Sequence, residues 1–302
     1  MADESEPDLF AGARRPPPRA LTRLSPLVRR LIAPNASPFT FNGTCAYILG
    51  EGEVAVVDPG PNDDSHLEAI LAATEGERIK TILVTHTHRD HSALAGRLRE
   101  RTGALIVGAA PFTPKGDGSE GLDSSHDREY APDLALGDGE RFNGAGFTIE
   151  AVATPGHCSN HLCLALLEEG ALFSGDHVMA WSTSVVAPPD GSMGAYMASL
   201  DKLRARDERV YWPGHGGPVT EPQRYLRALI HHRRQREAAI LAALSDGPQT
   251  VKGVAAKVYV GLDPKLARAA SLSTLAHLED LKERGQVAAE ETAGGETRFR
   301  RA

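Results

Sequence analysis

The residues best equipped for chemistry are four potential metal ligands that lie within six positions of one another. They are His86, His88, Asp90 and His91. The apolar run 81–84 before them predicts a buried strand. Because alternate side chains of a strand share a face, His86 and His88 should point to the same side, with the carboxylate and the third imidazole at the turn beyond. Such a cluster can bind two adjacent cations. Nitrogen and carboxylate donors without a thiolate suit zinc, and iron or manganese are compatible with the same donors.

Four other segments share one layout, in which an apolar run ends in a turn that carries Asp or His beside Gly or Pro. The polar residues at these turns are Asp58, His157, Asp176 and His215. Gly and Pro let the backbone turn sharply there. Each turn alone would be an ordinary surface turn. In open α/β architectures, however, ligands gather where strands end, so we expect these four ends and the histidine cluster to converge on one site.

The order of these motifs resembles the metallo-β-lactamase superfamily over about residues 30–220. The resemblance implies an α/β (α+β) fold, a four-layer αβ/βα sandwich with the metal site at one edge of two packed sheets. Carried over by position, one metal would be held by His86, His88 and His157 and the second by Asp90, His91 and His215, with Asp176 as the bridge. Asp58 would orient the site without binding a metal, which is a role that metal-bound histidines generally need.

This ligand set predicts a hydrolase that holds two Zn²⁺ ions per chain. Zinc lowers the pKa of bound water to about 7, so metal-bound hydroxide would be the nucleophile and no protein nucleophile is needed. Asp90, as a metal ligand, and Asp58, as the residue that orients the site, are predicted to be catalytic residues. His161, four residues after His157, is a further catalytic candidate, as a substrate contact or as a proton donor to the leaving group. The alternative for His161 is a place behind the ligands or in solvent.

Composition favours a cytoplasmic enzyme without a membrane partner. The chain has 302 residues, 41% of them hydrophobic, and a net charge of −7. It can bury a large core, and its charge gives no general attraction to nucleic acid or to an anionic membrane. No apolar run approaches the ~20 residues that span a bilayer, and the N-terminus lacks an apolar leader. Cys45, Cys158 and Cys163 are too few and too scattered for a disulfide framework, and we expect buried free thiols.

The chain is predicted to have three parts: a disordered or mobile tail over 1–22, a hydrolase domain over 23–220 and a C-terminal domain over 221–302. Residues 108–132, rich in Gly, Asp and Ser, are predicted to form a long loop. The last part predicts three helices followed by a hairpin, a winged-helix outline. It holds 14 Lys and Arg against 10 Asp and Glu, which favours a nucleic-acid partner. Its third helix has a face of mixed charge, which leaves a structural or homodimerisation role open.

Within the superfamily, the chain resembles the branch that includes the endoribonuclease lactamase-β-like protein 2. The resemblance rests on the two-domain order, on Thr154–His157 with His161 close behind, on Tyr211–Gly216, and on the following helix with His231–Arg233. It departs at Thr87 and over 181–196. The branch implies hydrolysis of single-stranded RNA or another phosphodiester, which two adjacent metals suit. The alternatives are a thioester (acyl) hydrolase of the glyoxalase II type, acting on a small-molecule substrate, and third a true β-lactamase.

Overall fold

The fold is given by a computed structural model, which describes residues 20–114, 125–292 and 294–302. The predicted tail lies mostly outside these ranges, as does the middle of the predicted loop over 108–132. The first strand begins at Thr22, one residue inside the predicted tail, where it pairs with Arg30. After Gly108, which is the last residue of a strand, the described parts of the long loop contain no further strand.

The first sheet has seven strands that follow one another in chain order. They are β1 Thr22–Arg23, β2 Val28–Ile32, β3 Cys45–Leu49, β4 Glu53–Val57, β5 Arg78–Val84, β6 Leu105–Gly108 and β7 Leu134–Ala135. β1 to β4 pair antiparallel, whereas β4 to β7 run parallel. The parallel part needs crossover connections, and helices supply two of them.

The second sheet has five strands. They are β8 Arg141–Gly144, β9 Phe147–Ala153, β10 Leu162–Leu166, β11 Ala171–Gly175 and β12 Val210–Pro213, in the order β12-β11-β10-β9-β8. Only β11 and β12 are parallel. β10 explains how this sheet fits between two layers, because its side chains alternate. Leu162 and Leu164 face the first sheet, while Cys163 and Ala165 face the helices on the other side.

Seven helices complete the described fold. They are α1 Asp64–Ala73, α2 Arg89–Ser92, α3 Ala95–Thr102, α4 Met193–Arg204, α5 Pro222–Ala243, α6 Val251–Val258 and α7 Ala267–Glu283. α1 and α3 cover the first sheet, and α4 with the first half of α5 covers the second. The predicted four-layer αβ/βα sandwich is confirmed. Among these helices, none has the long apolar stretch that a bilayer-spanning helix requires.

The C-terminal domain has the predicted winged-helix outline. Its core joins the second half of α5 with α6, α7 and the hairpin of β13 Val287–Glu291 and β14 Thr297–Arg301. Thr250 caps α6, because its side chain accepts the N–H of Gly253. α7 is packed against the two-sheet domain, since Ala276 belongs to the hydrophobic cluster around α4. The third helix of the winged helix is therefore largely buried.

Candidate metal centre

The site lies at one edge of the sandwich, where strands of both sheets end. Asp58 follows β4, and residues 86–91 follow β5 and enter α2. His157 lies beyond β9, Asp176 directly follows β11, and His215 lies two residues after β12. The five strand ends converge as predicted, and all seven predicted ligands are gathered in one cluster, in which only Asp90 is partly exposed.

Three imidazole nitrogens meet in the first half of the site. Nδ1 of His88 lies 3.1 Å from Nε2 of His86 and 2.9 Å from Nε2 of His157. Tetrahedral ligands at about 2.0–2.1 Å from zinc are roughly 3.4 Å apart, so these nitrogens are spaced much like ligands of one ion. On its other side, Nδ1 of His157 donates to the carbonyl of Val185 at 2.6 Å. That hydrogen bond fixes the tautomer that leaves Nε2 free to coordinate.

Two imidazoles and two carboxylates form the second half. Nε2 of His215 lies 3.3 Å from Oδ2 of Asp90 and 3.4 Å from Oδ1 of Asp176. Nε2 of His91 lies 3.5 Å and 3.4 Å from the same two oxygens. The second oxygen of Asp176, Oδ2, lies 3.7 Å from Nε2 of His157 in the first half. One carboxylate thus faces both halves, which is the geometry that a bridging ligand needs.

Asp58 is buried behind the ligands and supports one of them. Its Oδ1 accepts the backbone N–H of Thr85 at 2.8 Å, and its Oδ2 accepts the Thr85 hydroxyl at 2.7 Å and the Nδ1–H of His91 at 2.9 Å. The carboxylate is close enough to His86 and His91 for these three residues to form a third group that could bind a metal. These three hydrogen bonds already occupy its oxygens, however, so the geometry suits the predicted orienting role.

The donors fit divalent cations. Nε2 of His91 and Oδ1 of Asp176 are buried without a hydrogen-bond partner among the described residues. Buried polar atoms normally have a partner, so these two atoms indicate where metal bonds would replace hydrogen bonds. Gly214 keeps that space open, because a Cβ there would lie 2.5 Å from Cε1 of His91 and 2.6 Å from Oδ1 of Asp176. Imidazole and carboxylate together suit a divalent transition metal.

Burial sets the protonation of the first half. It lowers the pKa of His86 and that of His88 well below the usual histidine value, and neighbouring imidazoles lower both further. Burial also lowers the pKa of His157, although Asp176 opposes the shift. Neutral imidazole is the form that binds a metal. These three side chains are therefore ready to coordinate at neutral pH.

In the second half the pKa values of the imidazoles are raised rather than lowered. Burial acts to lower the pKa of both imidazoles, but the carboxylates outweigh it. Asp90, Asp176 and Asp58 raise the pKa of His91 well above its usual value, and that of His215 rises to about 9 beside Asp176 and Asp90. Burial raises the pKa of both carboxyl groups, yet His91 and His215 hold them below their usual range. The carboxylates thus favour positive charge on these two imidazoles, and a bound cation would supply that charge after displacing their protons.

His161 lies behind the ligands rather than in a substrate cleft. Its Nε2 accepts the backbone N–H of Asp176 at 3.2 Å, and its Nδ1 contacts the hydroxyl of Thr154 at 2.9 Å. Its exposed fraction is 1%. Both ring nitrogens are engaged and burial lowers its pKa well below the usual value, so this geometry suits orienting Asp176. It does not suit the predicted substrate contact or proton donation.

His126 belongs to the site but was missed in the sequence. Its ring lies 4.4 Å from that of His88, its Nδ1 is 2.7 Å from the hydroxyl of Thr87, and its Nε2 is 3.4 Å from Oδ2 of Asp190. It joins three loops around the first half of the site. It reaches this place from the long loop and follows no apolar run, so the strand-end pattern that indicated the candidate ligands gives no signal for it.

Comparison with known proteins decides the family. A model of the metallo-beta-lactamase superfamily matches residues 39–215, more than half of the chain. The chain belongs to this superfamily. A second model, the beta-lactamase associated winged helix domain, matches residues 250–295. The predicted resemblance and fold class are confirmed.

Three relatives illustrate the range of this superfamily. The atrochrysone carboxyl ACP thioesterase of Aspergillus fumigatus is 34% identical over 229 residues, which cover 74% of this chain and 66% of the thioesterase, just under two thirds of its length. The beta-lactamase-like protein 2 homolog of Drosophila melanogaster is 32% identical, over 92% of this chain and 95% of the relative. A metallo-beta-lactamase family protein from Thermus thermophilus is 27% identical with a TM-score of 0.77, covering 93% of this chain and all of that one. The chain is accordingly a hydrolase of this superfamily.

Proposed function

We propose that this protein is a dinuclear zinc-dependent hydrolase of phosphodiesters, with single-stranded RNA as the first substrate to test. The observation that carries the proposal is the position of the Asp176 carboxylate between the two halves of the site. One of its oxygens lies near His157 in the first half, and the other lies near His215 in the second half. Two adjacent zinc ions would lower the pKa of a bound water and stabilise the attacking and leaving oxygens of a phosphodiester.

The chain's own residues hold this arrangement in place. Asp58 fixes the ring of His91 by accepting its Nδ1–H, and the carbonyl of Val185 fixes that of His157. Cys158, beside His157, is the nearest thiol in sequence, but burial raises its pKa well above the usual value. A protonated, buried thiol is a poor nucleophile. This supports a reaction that proceeds without a protein nucleophile.

The match to a relative across both domains supports a phosphodiester as the substrate. The beta-lactamase-like protein 2 homolog matches this chain along nearly its whole length, which agrees with the resemblance that the sequence suggests. The second candidate is thioester hydrolysis of the glyoxalase II type, and the similarity to the fungal thioesterase favours it. The same two metals would serve either reaction.

The test is a paired turnover assay of zinc-loaded protein on a labelled single-stranded RNA and on S-lactoylglutathione. The double variant Asp90→Ala, His91→Ala controls for contaminating enzymes, because it removes two donors from the second half of the site. RNA cleavage that disappears in the double variant would support the proposal. Thioester turnover without RNA cleavage would refute it and favour the second candidate.

A further inference from the structure

A cavity of about 300 Å³ lies between the hydrolase domain and the winged helix. Residues 179–185 of the hydrolase domain form one side of it. α5, α7 and the loop that follows α6 form the other side. This volume is at the lower end of the range for small-molecule sites, so the cavity can hold one small group of a larger substrate but not a nucleic-acid duplex.

The cavity adjoins the metal centre at two points. Val185 lines the cavity, and its carbonyl is the acceptor for His157. Trp181 also lines it and lies against the residue after His215, because a Cβ on Gly216 would come within 2.8 Å of Cδ1 of Trp181. A molecule in the cavity therefore sits next to the walls of both halves of the site.

The two arginines that line this cavity have no carboxylate partner among the described residues. Arg233 is 3% exposed; its Nη2 donates to the carbonyl of Ser184 at 2.5 Å, and its Nε has no hydrogen-bond partner among the described residues. Arg236 donates to the carbonyl of Val258 at 2.9 Å. Within the described ranges, no carboxylate pairs with either guanidinium and none lines the cavity. The guanidinium of Arg233 also lies 4.9 Å from the centroid of the Tyr196 ring. A buried positive charge without an opposing charge is costly, so an anion would complete this site.

Aromatic side chains gather around the same cavity, although only 5% of the chain is aromatic. Phe39, Trp181 and Tyr259 line it. Phe39 is 49% exposed, so its ring is open to a ligand. The guanidinium of Arg236 lies 4.3 Å from the centroid of the Tyr259 ring. Proteins bind the bases and phosphates of single strands with this combination of planar rings and cations.

We propose that the cavity binds one nucleotide unit of the substrate, with its phosphate at Arg233 and Arg236 and its base against the aromatic side chains. This inference rests on the phosphodiesterase activity proposed above and deepens it. It also gives the winged helix a function. One face of α7 is packed inward, and its residues Ala270 and Ser273 complete the cavity wall.

The first test is binding of 5′-AMP to the zinc-loaded protein, followed by tryptophan fluorescence. AMP should quench Trp181, while Trp212, 7% exposed in the sandwich core, gives a constant background. Arg236→Gln should weaken AMP binding roughly tenfold, because it removes a charged donor. Arg234→Gln is the matched control, since Arg234 is exposed on the same helix and does not line the cavity. Equal weakening by both variants would overturn the proposal.

A second comparison separates the base from the phosphate. AMP should bind several-fold more tightly than ribose 5-phosphate, since only AMP has a base that can stack. Phe39→Ala should reduce this preference, and because Phe39 is half exposed the variant should still fold. Equal affinity of the original chain for the two compounds would overturn the base contact.

The metal-site double variant distinguishes this proposal from the proposed function. Asp90 and His91 do not line the cavity, so Asp90→Ala, His91→Ala should still bind AMP. Loss of AMP binding in that variant, with unchanged binding by Arg236→Gln, would place AMP at the metals and overturn the inference. AMP binding without any RNA cleavage would refute the proposed function alone. Tighter binding of 4′-phosphopantetheine than of AMP would overturn the nucleotide assignment and favour a thioester substrate.

Discussion

Asp58 illustrates how a buried carboxylate can orient a neighbouring candidate metal ligand. Its carboxylate connects the backbone and hydroxyl of Thr85 to the ring of His91, and it does so from a left-handed backbone conformation with φ of +47°. Such a conformation is uncommon outside glycine and is costly. The surrounding hydrogen bonds compensate for that cost, which is consistent with a position under functional constraint.

Asp58→Asn should lower zinc affinity about 10- to 100-fold, the usual cost of losing the partner that orients a metal-bound histidine. The amide can no longer accept all three hydrogen bonds, so the ring of His91 would lose its fixed orientation. Zinc content under competition with a graded chelator measures the effect. Asp64→Asn is the control, because the Asp64 side chain is 87% exposed at the start of α1. Unchanged affinity in Asp58→Asn would contradict the orienting role.

His277 should make the fold sensitive to acid. It is buried in α7, and burial, followed by Arg233 and Arg236, lowers its pKa to about 3. An unfolded histidine has a pKa of about 6.5, so between these values the unfolded chain takes up a proton that the folded chain refuses, and the free energy of unfolding falls as pH decreases. From pH 7 to pH 5 this amounts to about 2 kcal/mol.

The variant His277→Leu should therefore lose about 2 kcal/mol less stability over that interval than the original chain. Urea unfolding at pH 7 and at pH 5 measures both chains, and the difference removes the contributions of the other histidines. The same acid loss in both chains would show that His277 does not carry the effect.

The sequence indicated the candidate ligands because each follows an apolar strand in a short, local motif, and the fold brings these residues together. His126 could not be found in this way, since only the fold brings it within reach of His88. For His161 the sequence left two roles open, a catalytic contact and a place behind the ligands. Its spacing from His157 is compatible with either side of the ligands, and only the packing places it behind Asp176.

At the scale of elements, the turn after β12 has to pass very close to the metal ligands. Gly214→Ala should reduce zinc occupancy of the second half of the site, because the new methyl group would overlap His91 and Asp176. Metal analysis of purified protein measures the occupancy. Gly96→Ala is the matched control within α3, where a Cβ meets nothing within 4 Å, and it should stabilise the helix by roughly 0.5–1 kcal/mol. Full zinc occupancy in Gly214→Ala would contradict the close approach.

The elements of the winged helix were predictable, but their exposure was not. α7 ends at Glu283, two residues before Gly285, which has a left-handed backbone conformation. Its mixed-charge face gave no indication of which side would be buried. On the hairpin, Arg298 pairs with Glu296 and Arg300 lies 3.8 Å from Glu290. Two arginines of the wing thus lie near carboxylates, whereas Arg233 and Arg236 in the cavity have no carboxylate partner among the described residues.

At the scale of the whole molecule, the two domains should unfold together. Leu278 is fully buried in the core of the winged helix, whereas both tryptophans lie in the hydrolase domain. Leu278→Ala should cost about 2–5 kcal/mol and should also shift the unfolding midpoint that tryptophan fluorescence reports. Val260→Ala is the control, because Val260 is 87% exposed. An unchanged fluorescence midpoint in Leu278→Ala would show that the domains unfold independently.

The long helix α5 belongs to both domains at once. Leu226, Leu229 and Ile230 pack against the second sheet, and Ile240 packs in the winged-helix core. A helix turns by about 100° with each residue, so its length sets the angle between these two anchored faces. Inserting or deleting one residue between Ile230 and Ile240 would rotate one face away from its core and carry Arg233 and Arg236 out of line. The number of residues in this part of α5 therefore constrains the fold, even where the individual side chains do not.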